Sequence, residues 1–460
     1  MLQTLKNAWR TKDIRNKLLF TLLILLLYRI GTVIPVPFVD AGDFSGSFSG
    51  TILDYLDALS GGALGQATLF ALGVSPYINS SIIIQLLAVV FPKLGELTKN
   101  DKKKMGFITR ITTVILAVIT ALGYYFLLAN NGLLTPAASS KGLGWFYGIV
   151  IIICYVAGAS LVMWLADRIN EHGIGNGVSM ILFANIVSSI PAQCISMYEL
   201  LELTIAYRKV GYIILAAVFM VLLIAVVLAM TVFVIFITGS ERRIPVQYAK
   251  RVVGRKMYGG QSSNLPIKLN MTGVMPVIFA SSIVSLAPTI LMLCNVTGEG
   301  KGFWNWLARF LGSDGFVYPI VFFVLIIAFA YFYTQITFDP VEVANNLKKQ
   351  GGAIPGIRQG RPTSDYIKKI LNKITLAGAL FLSVVAVLPV IAGPHIIQHI
   401  IEWILQCSGD TAANITAMAK NYSGSFTFGG TSLIIVIGVA LETFRELEAQ
   451  LTMRNYKGFL

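Results

Sequence analysis

The sequence predicts an all-α membrane protein with ten transmembrane helices. Its mean hydropathy is +0.73 and only 13% of the 460 residues are charged, whereas roughly a quarter are charged in a soluble domain. Ten apolar runs are long enough to cross a bilayer, which takes about 20 residues of helix. The basic residues lie mainly on one side of these runs, as in membrane proteins. Together these observations exclude an ordinary soluble fold.

The ten apolar runs also set the side on which each loop lies. An even number of spans places both termini on one side, which carries 29 Lys and Arg residues against 6 on the other. The positive-inside tendency therefore predicts cytoplasmic termini. The first run follows a basic segment and lacks a small-residue cleavage site, so we expect it to be retained. The predicted spans are 18–36, 74–92, 105–129, 146–166, 174–195, 211–238, 270–294, 316–338, 371–393 and 428–445.

The net charge of +14 does not require a nucleic-acid partner. Basic cytoplasmic loops account for it, so we do not expect nucleic-acid binding. The cysteines form no CxxC pair and are expected to be free thiols. They are Cys154, Cys194, Cys294 and Cys407.

The stretch from Gly61 to Pro92 contains a short apolar segment followed by a helix that carries polar residues. Residues 61–72 are apolar enough for a membrane but too short to cross it. Gly73 then interrupts the chain, and Pro76 suits the first turn of a new helix. Irregular backbone at membrane depth is tolerated only against protein or water. The stretch therefore predicts a plug-like segment beside a protein-lined cavity.

Polar side chains distinguish the second, fifth and seventh spans from the third, sixth and eighth. The latter are rich in Ile, Val, Leu and Phe and can face lipid, whereas polar side chains favour the protein interior. Ile278, Ser282 and Ser285 share one face of the seventh span. Small polar residues also serve simply to pack helices together, but the same bias in three spans favours a shared cavity. The residues are Asn79, Gln85, Asn176, Asn185, Thr272, Ser281, Ser282 and Ser285.

Arg29 is a charged residue near the outer end of the first span. A charge is costly at the centre of a bilayer, so its environment needs an explanation. We expect the side chain to snorkel to the interface or to pair with Asp54 or Asp57 in the following loop, rather than to serve in transport.

Two cytoplasmic loops, residues 239–269 and 339–373, are long and basic. They contain GSERRIPVQYAKRVVGRK and NNLKKQGGAIPGIRQGRPTSDY, which mix basic, apolar and turn-forming residues. Positive-inside sorting explains their charge but not their length. Long projecting loops usually carry function, so we also predict a docking surface for an acidic or RNA-rich partner.

The sequence contains no motif that predicts catalysis. It lacks the GxxxxGK[ST] phosphate loop, so we do not expect ATP hydrolysis through a P-loop. His395, His399 and Glu402 would share one face of a helix, a spacing that suits zinc, but no Glu follows the first His to act as a base. We therefore expect neither an enzyme nor a cofactor, and at most adventitious metal binding.

Seven stretches resemble the SecY family, the central subunits of bacterial protein-conducting channels. They follow the family's order over nearly the whole chain, and the longest covers the plug-like segment and the second span. The stretches are RIGTVIPVP at 29–37, SGGALGQATLFALGVSPYINSSIIIQLL at 60–87, EHGIGNGVS at 171–179, RRIPVQYAKR at 242–251, LPIKLNMTGVMPVIFASSI at 265–283, NLKKQGGAIPGIRQG at 346–360 and FGGTSLIIV at 428–436.

The resemblance implies an hourglass pore between two pseudo-symmetric halves of five helices each. The halves would be residues 1–210 and 211–445, followed by a cytoplasmic tail, 446–460. At the waist, a ring of aliphatic side chains would block ions at rest and close around a passing peptide. The implied ring positions are Val74, Ile78, Val178, Leu182, Ile278 and Ile435.

The resemblance also implies a plug, a lateral gate between spans two and seven that releases transmembrane segments into lipid, and a docking surface. The plug would comprise Gly61, Gly62, Ala63, Leu64, Gly65, Gln66, Ala67, Thr68, Leu69, Phe70, Ala71 and Leu72. The gate residues would be Asn79, Gln85 and Ser282. The docking residues would be Arg242, Arg243, Lys250, Arg251 and Arg358.

The implied partners are those of a protein translocase in a bacterial plasma membrane. SecE would clamp the two halves and SecG would be peripheral. The SecA ATPase or the ribosome would supply the energy, and signal peptides and unfolded secretory proteins would be the cargo. Basic loops suit both ribosomal RNA and anionic lipids electrostatically.

Two features depart from the family pattern. The outer loop 394–427 is long, and HIIQHIIEWILQC within it predicts an extra amphipathic helix. The ring has Val or Leu at positions where Ile is common.

Two other function classes remain open from the residues alone, a secondary transporter for a small solute and a scaffold or insertase without a pore. A transporter usually needs ionisable residues within its spans. Only Arg29, Asp167 and Glu442 come near, all towards span ends.

Overall fold

Helices occupy the predicted spans in the computed structural model. It describes residues 2–40, 57, 60–130, 132–135, 144–206, 210–248, 251–253, 256–258, 262–293, 317–405, 418 and 430–457. A helix covers most of every predicted span, which confirms the all-α membrane fold. These helices are α2 (Lys12–Gly31), α3 (Ser75–Val90), α5 (Lys102–Asn130), α6 (Gly144–His172), α7 (Gly177–Ala206), α8 (Val210–Gly239), α9 (Met275–Leu293), α10 (Val317–Thr337), α12 (Arg361–Ala392) and α14 (Gly430–Lys457).

Six of these helices are long and apolar enough to cross a membrane by themselves, namely α5, α6, α7, α8, α10 and α12. The most apolar is α8, with a mean hydropathy of 3.3 over its most apolar part. Its Val221 and Phe236 are 69% and 73% exposed, as expected of a lipid-facing helix. By contrast, α3 is a shorter apolar helix. The count of ten membrane crossings and the division into two halves stay predictions.

The two long basic loops meet in one antiparallel sheet. Strand β1 (Glu241–Tyr248) lies between β4 (Ser262–Lys268) and β5 (Gly352–Ala353). Ile244 lies opposite Leu265, and Gln247 opposite Ala353. A second hairpin pairs β2 (Arg251–Val253) with β3 (Lys256–Tyr258). The sequence predicted turns in these loops and missed the strands.

An apolar cluster fixes this sheet to the membrane helices. Buried side chains alternate along β1, as a half-buried strand requires. Ile244 and Ile267 pack with Ile367 and Leu371 of α12. Helix α11 (Pro340–Lys349) adds Leu347 to the cluster. The sheet is therefore anchored on the N-terminal part of α12.

Helices near the two ends of the chain pack together. Helix α1 (Leu2–Arg10) contributes Ala8 to a small apolar cluster with Ile174 before α7 and Leu447 of α14. The segment predicted as a tail continues α14 as helix to Lys457. A further short helix, α4 (Pro92–Asn100), links α3 to α5.

The predicted amphipathic helix in the outer loop is present. Helix α12 passes through a π-helical turn (Gly393–Ile397) into α13 (Gln398–Leu405). Ile401 and Ile404 of α13 are fully buried against α7 and α8, while Trp403 is 55% exposed. One face of α13 therefore packs on the membrane helices.

Candidate functional site

Residues 61–72, hereafter the plug segment, form consecutive turns rather than a helix. Eight of these twelve residues are buried, including Ala63, Leu64 and Phe70, while Gln66 is exposed. Gly61, Gly62 and Gly73 adopt positive φ angles of 73°, 84° and 52°, which glycine allows without strain. A buried segment without helical hydrogen bonds needs partners from other parts of the protein.

Neighbouring elements provide hydrogen bonds to the backbone of the plug segment. The Leu69 N–H donates to Ile34 O at 2.9 Å. The Tyr124 hydroxyl donates to Leu64 O, and the Tyr155 hydroxyl donates to Ala67 O at 3.4 Å. These tyrosines lie in α5 and α6. Nothing in the sequence pattern singled them out, although a hydroxyl within an apolar span is itself a signal that a partner lies nearby.

Asp57 and Ser60 hold the start of the plug segment. The Gly65 N–H donates to Asp57 Oδ1 at 2.7 Å, and the Leu64 N–H donates to Ser60 Oγ at 3.1 Å. Burial raises the pKa of the Asp57 carboxyl, and hydrogen bonds from Gly65 and Ser60 oppose that rise. This carboxyl acts as a local cap for the turns that follow it.

The expected ion pair between Arg29 and Asp57 is not formed. Arg29 Nη1 instead donates to the Gly61 carbonyl at 3.4 Å, so the guanidinium meets the beginning of the plug segment. The Asp57 carboxylate is occupied by its own turn. Asp54 lies outside the described residues. Thus Arg29 contacts the backbone. A sequence pattern cannot identify such a partner, because every residue carries a backbone carbonyl.

Two glycines allow the plug segment to approach the helices closely. A Cβ atom on Gly158 of α6 would lie 2.0 Å from Leu69 O. One on Gly31 of α2 would lie 1.9 Å from the Phe70 ring. The Phe70 ring also stacks on Tyr28, with centroids 5.5 Å apart. Any larger residue at either glycine would displace the plug segment or its neighbour.

All six predicted ring residues belong to one hydrophobic cluster. Five are fully or nearly fully buried, and Val178 is half-buried and packs against the others. Phe70 and Leu69 of the plug segment join the same cluster. A ring around a constriction stays a prediction, but these positions are not scattered over the lipid-facing surface. The exposed fractions are 3% for Val74, 6% for Ile78, 3% for Leu182, 4% for Ile278 and 1% for Ile435.

The predicted gate residues lie on two helices in contact, α3 and α9. Asn79 is 7% exposed, and its Oδ1 has no hydrogen-bond partner among the described residues. Gln85 Oε1 accepts a hydrogen bond from the Tyr333 hydroxyl of α10. Ser282 is half-buried in α9. The structure thus brings spans two and seven together, while the gate itself stays a prediction.

The predicted docking residues are described only in part. Arg242 and Arg243 are exposed on β1, and Arg243 forms an ion pair with Glu241 at 2.8 Å. Arg358 is exposed five residues after β5, the strand that pairs with β1. Lys250 and the side chain of Arg251 lie outside the described residues. The sheet therefore brings both basic loops together on one surface.

The predicted metal constellation is described only in part. His399 Nδ1 and Glu402 Oε2 lie 3.1 Å apart on α13, whereas the side chain of His395 lies outside the description. In the described parts of the chain, no three His, Cys, Asp or Glu side chains form a group suited to a metal ion.

The fold and its interior define the class of this protein as a multi-pass helical membrane protein with a buried, non-helical segment at its centre. The family model of SecY matches residues 68–444. A protein translocase subunit SecY from Mycobacterium tuberculosis is 41% identical, with 100% of both chains covered. The chain belongs to the SecY family.

Two solved structures share the fold. One is a SecY protein whose plug domain stabilises the closed state of the translocation channel and maintains a membrane seal. Its TM-score is 0.63 at 17% identity, with 95% of this chain and 92% of that chain covered. The other is Sec61 in the canine ribosome-channel complex from the endoplasmic reticulum, with a TM-score of 0.57, 15% identity and the same coverage.

Proposed function

We propose that this chain forms the protein-conducting channel of a Sec translocase. Unfolded secretory polypeptides would cross through its centre, and transmembrane segments would leave sideways between α3 and α9. The observation that carries the proposal is the plug segment itself, which is buried without helical structure beside the cluster that contains all six aliphatic ring positions. Family membership and the named protein translocase relatives support it.

The physical chemistry of the six positions suits a seal. A narrow aliphatic constriction loses water and blocks ions at rest. Flexible side chains such as those of Ile78, Leu182 and Ile278 can still move apart around an extended chain, because they require no specific hydrogen bonds. The plug segment would close the same passage in the resting state.

The contact between α3 and α9 suits a lateral gate. Apolar side chains of both helices pack in one cluster, and the Tyr333 hydroxyl of α10 donates a hydrogen bond to Gln85 of α3. Such a contact can open without breaking a buried ion pair, which would be costly. Signal peptides would bind where the two helices separate.

Partners would dock on the cytoplasmic sheet. Arg242, Arg243 and Arg358 are exposed there and would meet the SecA ATPase or the ribosome, which would supply the energy. SecE would clamp the two halves, SecG would be peripheral, and anionic lipids would contact the basic cytoplasmic surface. The membrane would be a bacterial plasma membrane with both termini in the cytoplasm.

Photocrosslinking tests the channel directly. A photoreactive residue placed at Ile278 should capture a stalled secretory chain, whereas one at Val221 on the exposed face of α8 should not. Capture of a small solute at Ile278, with no polypeptide, would favour a secondary transporter. Equal capture at both positions would remove the central path.

Charge reversal tests the docking surface. Arg358→Glu should leave the protein inserted and paired with SecE but reduce SecA-driven translocation at least tenfold, because the exposed guanidinium would no longer attract an acidic partner. Lys12→Glu, at an exposed basic residue before the first span, is the matched control. Normal ATP-driven export by the Arg358 variant would remove that residue from the docking site.

A further inference from the structure

A small cavity lies where the cytoplasmic sheet joins helix α9. Its volume is about 10 Å³, close to the space that one water molecule requires. Residues from the end of β4 to the start of α9 form one wall, and α10 and α12 form the others. The lining residues are Leu269, Asn270, Met271, Thr272, Ala330, Thr334, Thr375, Gly378, Ala379 and Leu382.

One residue that lines this cavity carries a buried polar atom without a partner among the described residues. Asn270 is 7% exposed, and its Oδ1 accepts no hydrogen bond from the described residues. Buried amide oxygens are nearly always hydrogen-bonded in native proteins, because leaving one unpaired is costly. The atom therefore indicates a small hydrogen-bond donor in the cavity.

Hydroxyl groups of other residues that line the cavity can complete the coordination of such a donor. The Thr334 hydroxyl donates to Ala330 O at 2.7 Å, and the Thr375 hydroxyl donates to Thr334 Oγ1 at 3.4 Å. Both donors are thus used, while Thr375 Oγ1 keeps lone pairs that can accept. Thr272 adds a further hydroxyl to the wall. A molecule with two donors and one acceptor matches this set.

We propose that one ordered water molecule binds in this cavity. It donates to Asn270 Oδ1 and to Thr375 Oγ1, and it accepts from the Thr272 hydroxyl. Two to four polar partners and room for a single water are the conditions under which buried water is retained. A volume of about 10 Å³ leaves no room for a larger ligand. Helix α12 packs closely on this wall, because a Cβ on Gly378 would lie 2.4 Å from Leu269 O.

The position of the water gives it a role in movement of α9, and this role rests on the proposed function. Residues 269–274 are non-helical and join β4 to α9, and Gly273 within them has φ +64°. They connect the proposed docking sheet to a proposed gate helix. A bridging water holds this joint against α10 and α12, yet it can exchange partners when α9 tilts.

A high-resolution cryo-electron microscopy map of the protein in lipid nanodiscs tests the site without any transport assay. The expected result is a density peak about 2.6–3.2 Å from both Asn270 Oδ1 and Thr375 Oγ1. Thr375→Val should remove the peak at nearly constant volume. A wild-type map without the peak, or one in which a protein group occupies Asn270 Oδ1, would overturn the proposal.

A double-mutant cycle measures the bridge independently. Thr272→Val and Thr375→Val should each lower the midpoint of thermal unfolding by about 2 °C. The midpoint of the double variant should fall by no more than the larger of the two single shifts, because both hydroxyls act through one water. Ser383→Ala is the control, since that buried hydroxyl on α12 bonds its own helix at Leu380 O. Additive losses in the double variant would contradict a shared water. A failed transport assay with an intact water peak would instead count against the proposed function.

Discussion

The plug segment and the contact between α3 and α9 share one apolar cluster but differ in their hydrogen bonds. Among the described residues, the plug segment forms hydrogen bonds with parts of the chain that precede α8. Its Leu69 N–H donates to Ile34 O, and the hydroxyls of Tyr124 and Tyr155 donate to its carbonyls. The contact between α3 and α9 joins the two predicted halves and is mainly apolar. Hydrogen bonds orient a segment, whereas apolar contacts permit sliding and separation. The plug segment should therefore move with the first half when the two helices part.

The largest expected effect comes from removing the space in which the plug segment lies. Gly158→Val would place side-chain carbon about where Leu69 O now lies, 2.0 Å from the added Cβ. Overpacking of this kind costs about 3 kcal/mol, which corresponds to about a hundredfold larger population of displaced segment. Resting ion conductance in planar bilayers should rise accordingly.

A matched glycine separates this effect from a general loss of helix stability. Gly106 of α5 has open space around its Cβ position, so Gly106→Val should leave the resting conductance near that of the wild type. Equal conductance of the Gly158 variant and the wild type would show that the plug segment does not seal the resting protein.

The second largest effect on resting conductance is expected at two predicted ring residues, one on α3 and one on α9. Replacing Ile78 and Ile278 with glycine should raise resting conductance roughly tenfold, because a wider apolar passage holds water. The control replaces Ile224 and Ile235 with glycine. These residues are 50% and 43% exposed on α8, so the control variant and the ring variant each carry two glycines within helices. Unchanged conductance in reconstituted bilayers would argue against the ring.

A smaller effect is expected from the hydrogen bond between α3 and α10. Tyr333→Phe removes the hydroxyl that donates to Gln85 Oε1, and one such bond contributes about 1 kcal/mol. Opening between α3 and α9 should become about fivefold easier, measured as increased export of substrates with defective signal sequences.

A second tyrosine on α10 provides the control for that change. The Tyr331 hydroxyl donates to Asn372 O of α12 at 3.2 Å, away from α3. Tyr331→Phe should therefore leave export of defective substrates unchanged. If both variants behave alike, the bond to Gln85 does not restrain opening.

The sequence predicted the features that depend on local composition and spacing. Hydropathy located helices at the ten spans, and Gly73 with Pro76 located the start of α3 within one residue. The sequence pattern did not predict the strands of the sheet. Strand β1 pairs with β5 across about 100 residues of chain, and only tertiary contacts select that pairing. Likewise, the sequence predicted that Arg29 would snorkel to the interface or pair with Asp54 or Asp57, whereas its guanidinium contacts the Gly61 carbonyl.

The smallest expected effect is a pH dependence of the stability of the docked plug segment. Burial raises the pKa of Asp57 above its ordinary value, so the docked segment binds a proton more tightly than the displaced segment does. The docked state is then most stable below the ordinary pKa and loses stability as pH rises through the raised pKa. Resting conductance should increase slightly between about pH 4 and pH 7.

Asp57→Asn identifies the group responsible for that change. The amide oxygen can still accept from the Gly65 N–H, which now donates to Asp57 Oδ1 at 2.7 Å, but the side chain no longer titrates. The variant should therefore show a flat profile over the same range. Asp40→Asn, at an exposed position on the same outer side, should keep the wild-type slope. A slope that persists in the Asp57 variant would assign the titration to another group, and the buried carboxyl would then act as a hydrogen-bond acceptor alone.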